Sequence, residues 1–99
     1  MEYYVIADED VTLGFSLVGI QGVAVHTREE AESAFDRVTQ MKQFGIIIIT
    51  EKAASLIREK VDKFLFTEDL PLVVEIPNPG EKSSRDLRTL VNEAIGVSI

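Results

Sequence analysis

Cysteine is absent from the 99 residues of the chain. The absence excludes disulfides and thiolate metal sites, and it fits a reducing compartment. Long apolar runs are missing too, since none approaches the roughly 20 residues that a membrane-spanning helix needs. The N-terminal MEYYVIADED is acidic and begins with a strand-like run, so it resembles neither a signal nor a transit peptide. We expect one soluble, cytoplasmic domain.

Basic residues are scarce. The chain has ten lysines and arginines and 17 acidic residues, which gives a formal net charge of -7. Such a surface repels nucleic acid and anionic lipid, so we expect neither nucleic-acid binding nor direct insertion into a membrane. A basic partner protein is compatible with this charge, and so is simple solubility.

The stretch that organises the chain is FGIIIITEK, residues 44–52. Its four consecutive isoleucines leave no polar face, which is typical of a strand covered on both sides in a parallel sheet. A buried helix is disfavoured because the run is short, is β-branched throughout and lies between Gly45 and Thr50. A strand covered on both faces needs helices on both faces, so the stretch predicts a layered α/β fold.

Strands and helices alternate along the rest of the chain. Strand-like runs lie at 3–7, 22–25, 46–49 and 72–76, and helical patterns at 11–19, 27–41, 50–65 and 83–95. The predicted helix caps are Asp10, Thr27 in a capping box with Glu30, Thr50, and Ser83 or Ser84. Right-handed crossovers then predict a three-layer Rossmann-like (flavodoxin-like) domain with a four-stranded parallel sheet of order 2-1-3-4. The first helix is expected on one face, the second and third on the other, and a C-terminal helix follows.

The first predicted helix carries two apolar stripes. One stripe is Val11, Phe15 and Val18, and the other is Leu13, Leu17 and Ile20. One stripe faces the sheet, and the other meets either a neighbouring helix or a partner. Packing within the domain is the favoured interpretation.

The fourth predicted strand, LVVEI, is interrupted by Glu75. The charge predicts an edge strand whose face with Val73 and Glu75 is incompletely covered. Pro77 and Pro79 then break the strand. The chain therefore divides into a domain at 1–77 and a Pro/Gly hinge loop with a C-terminal helix at 78–99. That helix either packs on the domain or docks elsewhere.

The carboxyl ends of the strands, where open α/β sheets bind ligands, carry acids but no catalytic set. Asp8, Glu9 and Asp10 follow the first strand as in phosphoacceptor receiver domains, but Thr50 stands where such domains have the phosphorylated aspartate. There is no G-x-G-x-x-G or Walker A pattern, and the single histidine, His26, is expected to be a surface residue. We expect no enzyme, and no catalytic, cofactor-binding or metal-binding residue. A degenerate receiver-like signalling or small-ligand-binding domain is the alternative function.

Three segments carry a resemblance to a known family. GFSLVGI, IIIITEKAASLI and PLVVEIPNPG, at the spacing seen here, are similar to the F subunit of V-type and A-type ATP synthases and ATPases. The resemblance extends over nearly the full chain. It implies a Rossmann-like domain without chemistry of its own, placed in the central rotor stalk on the cytoplasmic side and peripheral to the membrane.

The resemblance also implies partners. Such a protein binds the helical hairpin of the D subunit, and it helps to couple or regulate ATP synthesis or hydrolysis and ion (hydrogen-ion) transport by rotation. The expected contacts with the D subunit lie on the first helix and at the end of the fourth strand: Leu13, Leu17, Val73, Glu75, Ile76 and Pro77. The C-terminal helix is expected to reach the A and B subunits of the catalytic head through Arg85, Leu87, Arg88 and Leu90.

Overall fold

A computed structural model describes residues 2–68 and 70–78. Its four strands form one parallel sheet in the order β2-β1-β3-β4, as predicted. The elements are β1 Glu2–Ala7, α1 Glu9–Ser16, β2 Gln21–Ala24, α2 Arg28–Thr39, β3 Phe44–Thr50, α3 Glu51–Leu56, α4 Arg58–Thr67 and β4 Leu72–Ile76. The predicted C-terminal helix, with Arg85, Leu87, Arg88 and Leu90, lies outside the described residues, as does the loop from Pro79 onward.

The two faces of the sheet are covered unequally. One face, which we call the main-core face, packs against α2, α3 and α4 and buries Phe35, Ile47 and Val61 almost completely. The opposite face, the half-open face, packs against α1 and buries a smaller cluster around Val5 and Val11. The predicted placement of the first helix opposite the second and third is confirmed. Most of the hydrophobic stabilisation therefore comes from the main-core face.

The start of α1 differs from the prediction, since Asp8 caps the helix and Asp10 does not. Asp8 has an extended backbone (φ -92°, ψ -179°), and its carboxylate accepts a hydrogen bond from the backbone N–H of Val11 at 3.0 Å. Asp10 already lies within the first turn. The strand runs straight into the cap at Asp8, so the helix begins two residues earlier than predicted.

The second helix begins as predicted. The Thr27 hydroxyl accepts from the N–H of Glu30, and the Glu30 carboxylate accepts from the N–H of Thr27, which completes the capping box. This reciprocal pair satisfies two donors that the first helical turn leaves unpaired. It fixes the N-terminus of α2 close to His26.

The third predicted helix is two helices. Ile57 leaves the helical conformation (φ -133°, ψ 40°) and separates α3 from α4 while its side chain stays buried. Beyond the break, Val61 and Phe64 contact the main core, whereas Leu65 is half exposed. Leu65 therefore lies outside the buried face of α4.

Strand β4 is an edge strand of the described sheet, as predicted, but Val73 departs from the exposure expected of its face. Val73 lies beside Ile47 on the main-core face and is 7% exposed. Glu75 lies on the same face and pairs with Arg58 of α4, with Nη2 to Oε1 at 2.5 Å and Nη1 to Oε2 at 3.1 Å. The expectation that this face is incompletely covered is wrong for Val73, which is buried, and holds for Glu75, which is exposed although Arg58 pairs with its carboxylate. Leu72 and Val74, on the half-open face, are exposed as well.

Candidate partner-binding surface

The carboxyl ends of β1, β2 and β3 enclose a cavity of about 280 Å³. Asp8, Glu9, His26, Thr50 and Asn78 are among its lining residues. Ligands of open α/β sheets bind at this edge of the sheet. This edge is therefore the first candidate for a catalytic or ligand-binding site.

Three polar side chains of this cavity form hydrogen bonds within the fold. The Asp8 carboxylate caps α1, the Thr50 hydroxyl accepts from the N–H of Ala53 at 3.3 Å, and the Asn78 side-chain oxygen accepts from the N–H of Lys52 at 2.9 Å. Across residues 2–68 and 70–78, no three acidic, histidine or cysteine side chains are grouped so as to hold a metal ion. The same residues contain no buried side-chain polar atom that lacks a partner. The geometry therefore gives no support to a receiver-like or ligand-binding role for this edge.

His26 and Glu9 form a contact that the sequence did not indicate. The Nε2 atom of His26 lies 2.5 Å from Oε1 of Glu9, and both side chains are more than half exposed. The hydrogen bond with Glu9 raises the pKa of His26, and the negative charges of Glu9, Glu30 and Asp8 act in the same direction. The same bond lowers the pKa of Glu9. The contact joins the start of α1 to the turn between β2 and α2.

This contact makes part of the stability depend on pH. Because the pKa of His26 is raised in the folded protein, its protonated form stabilises the fold. This contribution is complete below the ordinary histidine pKa of about 6.5 and is lost as pH rises through the raised pKa. Because the pKa of Glu9 is lowered in the folded protein, its ionised form stabilises the fold. This contribution is complete above the ordinary glutamate pKa of about 4.5 and is lost as pH falls through the lowered pKa. The contact is therefore strongest in mildly acidic solution.

We predict that Glu9→Gln lowers the pKa of His26 toward its ordinary value, because the replaced carboxylate is the principal cause of the shift. An NMR titration of the imidazole protons measures it without ambiguity, since the chain has one histidine. Asp10→Asn is the control and is expected to leave the His26 pKa close to the wild-type value. An unchanged pKa in Glu9→Gln would contradict the contact.

Exposed apolar side chains, rather than reactive groups, distinguish the half-open face and the outside of α1. Leu13 and Leu17 on α1 are 61% and 79% exposed, and Leu72 and Val74 on β4 are 51% and 38% exposed. Helix α1 lies over β1 and β2. The β3–β4 half of this face is therefore left open within the part of the chain that the structure describes. Contiguous exposed apolar patches mark protein–protein contacts, so the outside of α1 and the exposed face of β4 are each candidates for one.

Comparison with known proteins decides the family. The family model described as ATP synthase (F/14-kDa) subunit matches residues 4–94. The chain belongs to this family. The resemblance seen in the sequence is thereby confirmed for the F subunit of A-type and V-type ATP synthases.

Individual F subunits align along nearly the whole chain. The F subunit of the A-type ATP synthase of Methanothermobacter thermautotrophicus is 35% identical over 99 residues, covering 96% of this chain and 92% of the relative. The F subunit of the A-type ATP synthase of Methanocaldococcus jannaschii is 32% identical over 102 residues, covering 100% of this chain and 99% of the relative. The similarity therefore concerns whole subunits and not a shared fragment.

A solved structure supports the fold of this F-subunit chain. The crystal structure of the F subunit of the V-type ATP synthase from Archaeoglobus fulgidus matches with a TM-score of 0.59 and 26% identity. The match covers 76% of this chain and 95% of that chain. Together with the strand order, it confirms the predicted flavodoxin-like α/β fold. No helix among residues 2–68 and 70–78 is long and apolar enough to cross a bilayer.

The residues predicted to contact the D subunit occupy different environments in this F-subunit chain. Leu13 on α1 and Leu17 at its C-cap are exposed one turn apart, on the side turned away from Val11. Pro77 is exposed just beyond β4, and Ile76 is partly exposed. Val73 is buried and Glu75 is held by Arg58, so neither presents a free side chain to a partner.

Several exposed apolar residues were not among the predicted contacts. They are Tyr3, Val18, Met41, Leu65, Phe66, Leu70, Leu72 and Val74. Side chains alternate between the two faces of a strand, so the sequence LVVEI places Leu72 and Val74 on the face opposite Val73 and Glu75. The charge of Glu75 drew attention to the face on which Val73 is buried. Phe66, which is 91% exposed, gave no sequence signal, since it lies in an apolar run at the end of α4.

Proposed function

We propose that this F-subunit chain is a non-catalytic component of the central rotor stalk, bound to the D subunit. In that place it helps to couple or regulate ATP synthesis or hydrolysis and ion transport by rotation. It works on the cytoplasmic side, peripheral to the membrane. The observation that carries the proposal is the pair of leucines exposed on α1 in a domain whose described carboxyl edge has no unused buried polar group.

The contact with the D subunit is centred on α1 and the end of β4. Leu13 and Leu17 supply the apolar anchors, and Ile76 and Pro77 extend the surface at the carboxyl edge. Residues four apart on a helix lie one above the other, which suits the groove between two helices of a hairpin. Val73 and Glu75 contribute from within the domain, by holding β4 against β3 and α4.

The energy available from this contact is considerable. Burying an exposed leucine side chain contributes about 1.5–3 kcal/mol. Two such leucines buried together therefore contribute about 3–6 kcal/mol, before the cost of association is subtracted. The acidic surface favours a basic partner and steers its approach.

We predict that Leu13→Asp combined with Leu17→Asp weakens binding to the D subunit by about 30-fold or more, equivalent to at least about 2 kcal/mol. Isothermal titration calorimetry with the purified D subunit measures the effect. The fold is expected to survive, because both side chains are exposed. Phe66→Asp is the control: Phe66 is exposed on α4, which packs on the main-core face, and the variant is expected to bind like wild type. If the double variant bound the D subunit with wild-type affinity, α1 would not belong to the interface.

Residues 78–99 are proposed to act as a Pro/Gly hinge loop and a C-terminal helix. In the complex, Arg85, Leu87, Arg88 and Leu90 would contact the A and B subunits of the catalytic head. The helical spacing of the apolar positions and the prolines before them support this division of labour.

A further inference from the structure

Nothing in the described part of the chain requires glycine at position 14. Gly14 lies within α1, is exposed and does not have a positive φ. A Cβ atom built on it would meet no atom of the surrounding structure within 4 Å. Glycine inside a helix lowers the folding equilibrium constant by a factor of about four to five relative to alanine. A residue that breaks a local rule in this way indicates a role outside the domain.

Two nearby glycines have clear reasons within the fold. Gly19 has a φ of 85°, a conformation that favours glycine. At Gly22 a Cβ atom would lie 2.8 Å from the backbone oxygen of Val5 and 3.4 Å from Cγ2 of Thr12, so the chain is too crowded there for a larger residue. Neither reason applies to Gly14.

The position of Thr12 shows which way Gly14 points. Thr12 lies close to Gly22 and therefore faces β2. Residues two apart on an α-helix are rotated by about 200°, so Gly14 lies on the opposite flank of α1, turned toward β3 and β4. Asp10, four residues before Gly14, and Leu17, three residues after it, lie on the same flank.

This flank of α1 borders the uncovered half of the half-open face. We call the strip beside it the open groove. Its wall is Gly14, and its floor is formed by apolar residues paired in register on β3 and β4: Ile46 with Leu72, and Ile48 with Val74. Adjacent strands lie about 4.8 Å apart, so two strands give a strip about 10 Å wide, which is the diameter of one α-helix. The open groove therefore fits a single helix.

The groove also selects the chemistry of that helix. Its floor is apolar, so the helix needs an apolar stripe. The exposed Asp10 carboxylate has no hydrogen-bond or ion-pair partner among the described residues, and the chain has no lysine or arginine before Arg28. A basic residue on the incoming helix complements this charge. A second copy of the chain, with its net charge of -7, is repelled.

We propose that the open groove holds one helix of the D-subunit hairpin, and that this helix packs against the backbone of α1 at Gly14. Without a side chain at Gly14, the two helix axes approach to the short end of the usual distance of about 8–10 Å. The proposal rests on the proposed function and deepens it. Leu13 and Leu17 then lie between the two helices of the hairpin, and a basic residue of the helix in the groove lies beside Asp10.

Substitutions of Gly14 test the proposal, because stability and binding are expected to change in opposite directions. In the free chain, Gly14→Ala is expected to raise the folding equilibrium constant about two- to fivefold, as measured by urea denaturation. In the complex, the added atoms force the helices apart. Gly14→Ala is therefore expected to weaken binding to the D subunit about fivefold, and Gly14→Leu about 30-fold or more, as measured by isothermal titration calorimetry.

Ser33→Leu is the matched control. Ser33 is exposed on α2, on the other side of the sheet, so an added leucine there is expected to leave binding at the wild-type level. Wild-type affinity in both Gly14 variants would overturn the inference and leave the D subunit as partner. A loss of stability in the free Gly14→Leu chain would show that another part of the same chain already covers Gly14, and would overturn it too. If the wild-type chain bound no D subunit, the proposed function would fail as well.

The charge of Asp10 is tested separately. Asp10→Asn is expected to weaken binding to the D subunit about threefold at low salt and to have little effect at about 0.5 M salt, where surface charges are screened. Glu29→Gln removes the same charge from the exposed surface of α2 and is expected to have no such effect. Equal effects of Asp10→Asn and Glu29→Gln would contradict a basic residue opposite Asp10.

Discussion

Val73→Asp is expected to lower the free energy of unfolding by about 4 kcal/mol or more, because it places an unpaired carboxylate in the main core. Val73 is 7% exposed and lies beside Ile47. Urea denaturation followed by circular dichroism measures the loss. Small domains have only about 5–15 kcal/mol of stability, so partial unfolding of the variant in buffer without urea would also agree with this prediction.

The neighbouring residue provides the control. Val74 is 38% exposed on the half-open face, so Val74→Asp is expected to cost about 1 kcal/mol. The two variants add the same charge one position apart on the same strand, and they differ only in the face that receives it. Comparable losses would mean that the faces of β4 are assigned incorrectly. They would also reopen the possibility that Val73 contacts the D subunit directly.

Phe35→Ala is expected to lower the free energy of unfolding by about 3–5 kcal/mol, the range for deleting a buried aromatic ring. Phe35 is 1% exposed and packs edge to face against Phe64, with ring centroids 5.4 Å apart. The substitution removes buried apolar area and leaves a cavity between α2 and α4. Urea denaturation measures this loss as well.

Phe66→Ala makes the same chemical change at a residue that is 91% exposed, and it is expected to alter stability by no more than about 0.5 kcal/mol. The comparison separates the effect of burial from the effect of losing a phenyl ring. If Phe66→Ala proved as costly as Phe35→Ala, the exposure of Phe66 on α4 would be contradicted. Loss of stability only in Phe35→Ala would place the main core where the structure has it.

The sheet was predictable because its signals are local. Four isoleucines in a row exclude a solvated face, and Thr27 with Glu30 specify a helix start by hydrogen bonds within four residues. Choosing between Asp8 and Asp10 as the cap was harder, because both side chains suit the role and only the end of β1 decides. Neighbouring residues also did not indicate the break at Ile57.

The burial of Val73 was not predictable from the charge two positions later in β4. Glu75 is exposed, as its charge indicates, but its ion pair with Arg58, 17 positions earlier, follows from no local pattern. The contact between Glu9 and His26 spans the same separation and was missed for the same reason. Leu13 and Leu17 belong to the second stripe of the first helix, for which packing within the domain was the favoured interpretation, but both are exposed among the described residues. The D subunit was named as the partner only through the family resemblance, because the spacing of apolar residues on a helix does not identify the protein that binds it.

The hydrogen bonds at the carboxyl edge limit what this edge can bind. The side-chain oxygens of Asp8, Thr50 and Asn78 accept from the backbone N–H groups of Val11, Ala53 and Lys52. Ligands of open α/β sheets bind at this edge. A ligand that donated to these oxygens would compete with the backbone N–H groups that begin α1 and α3.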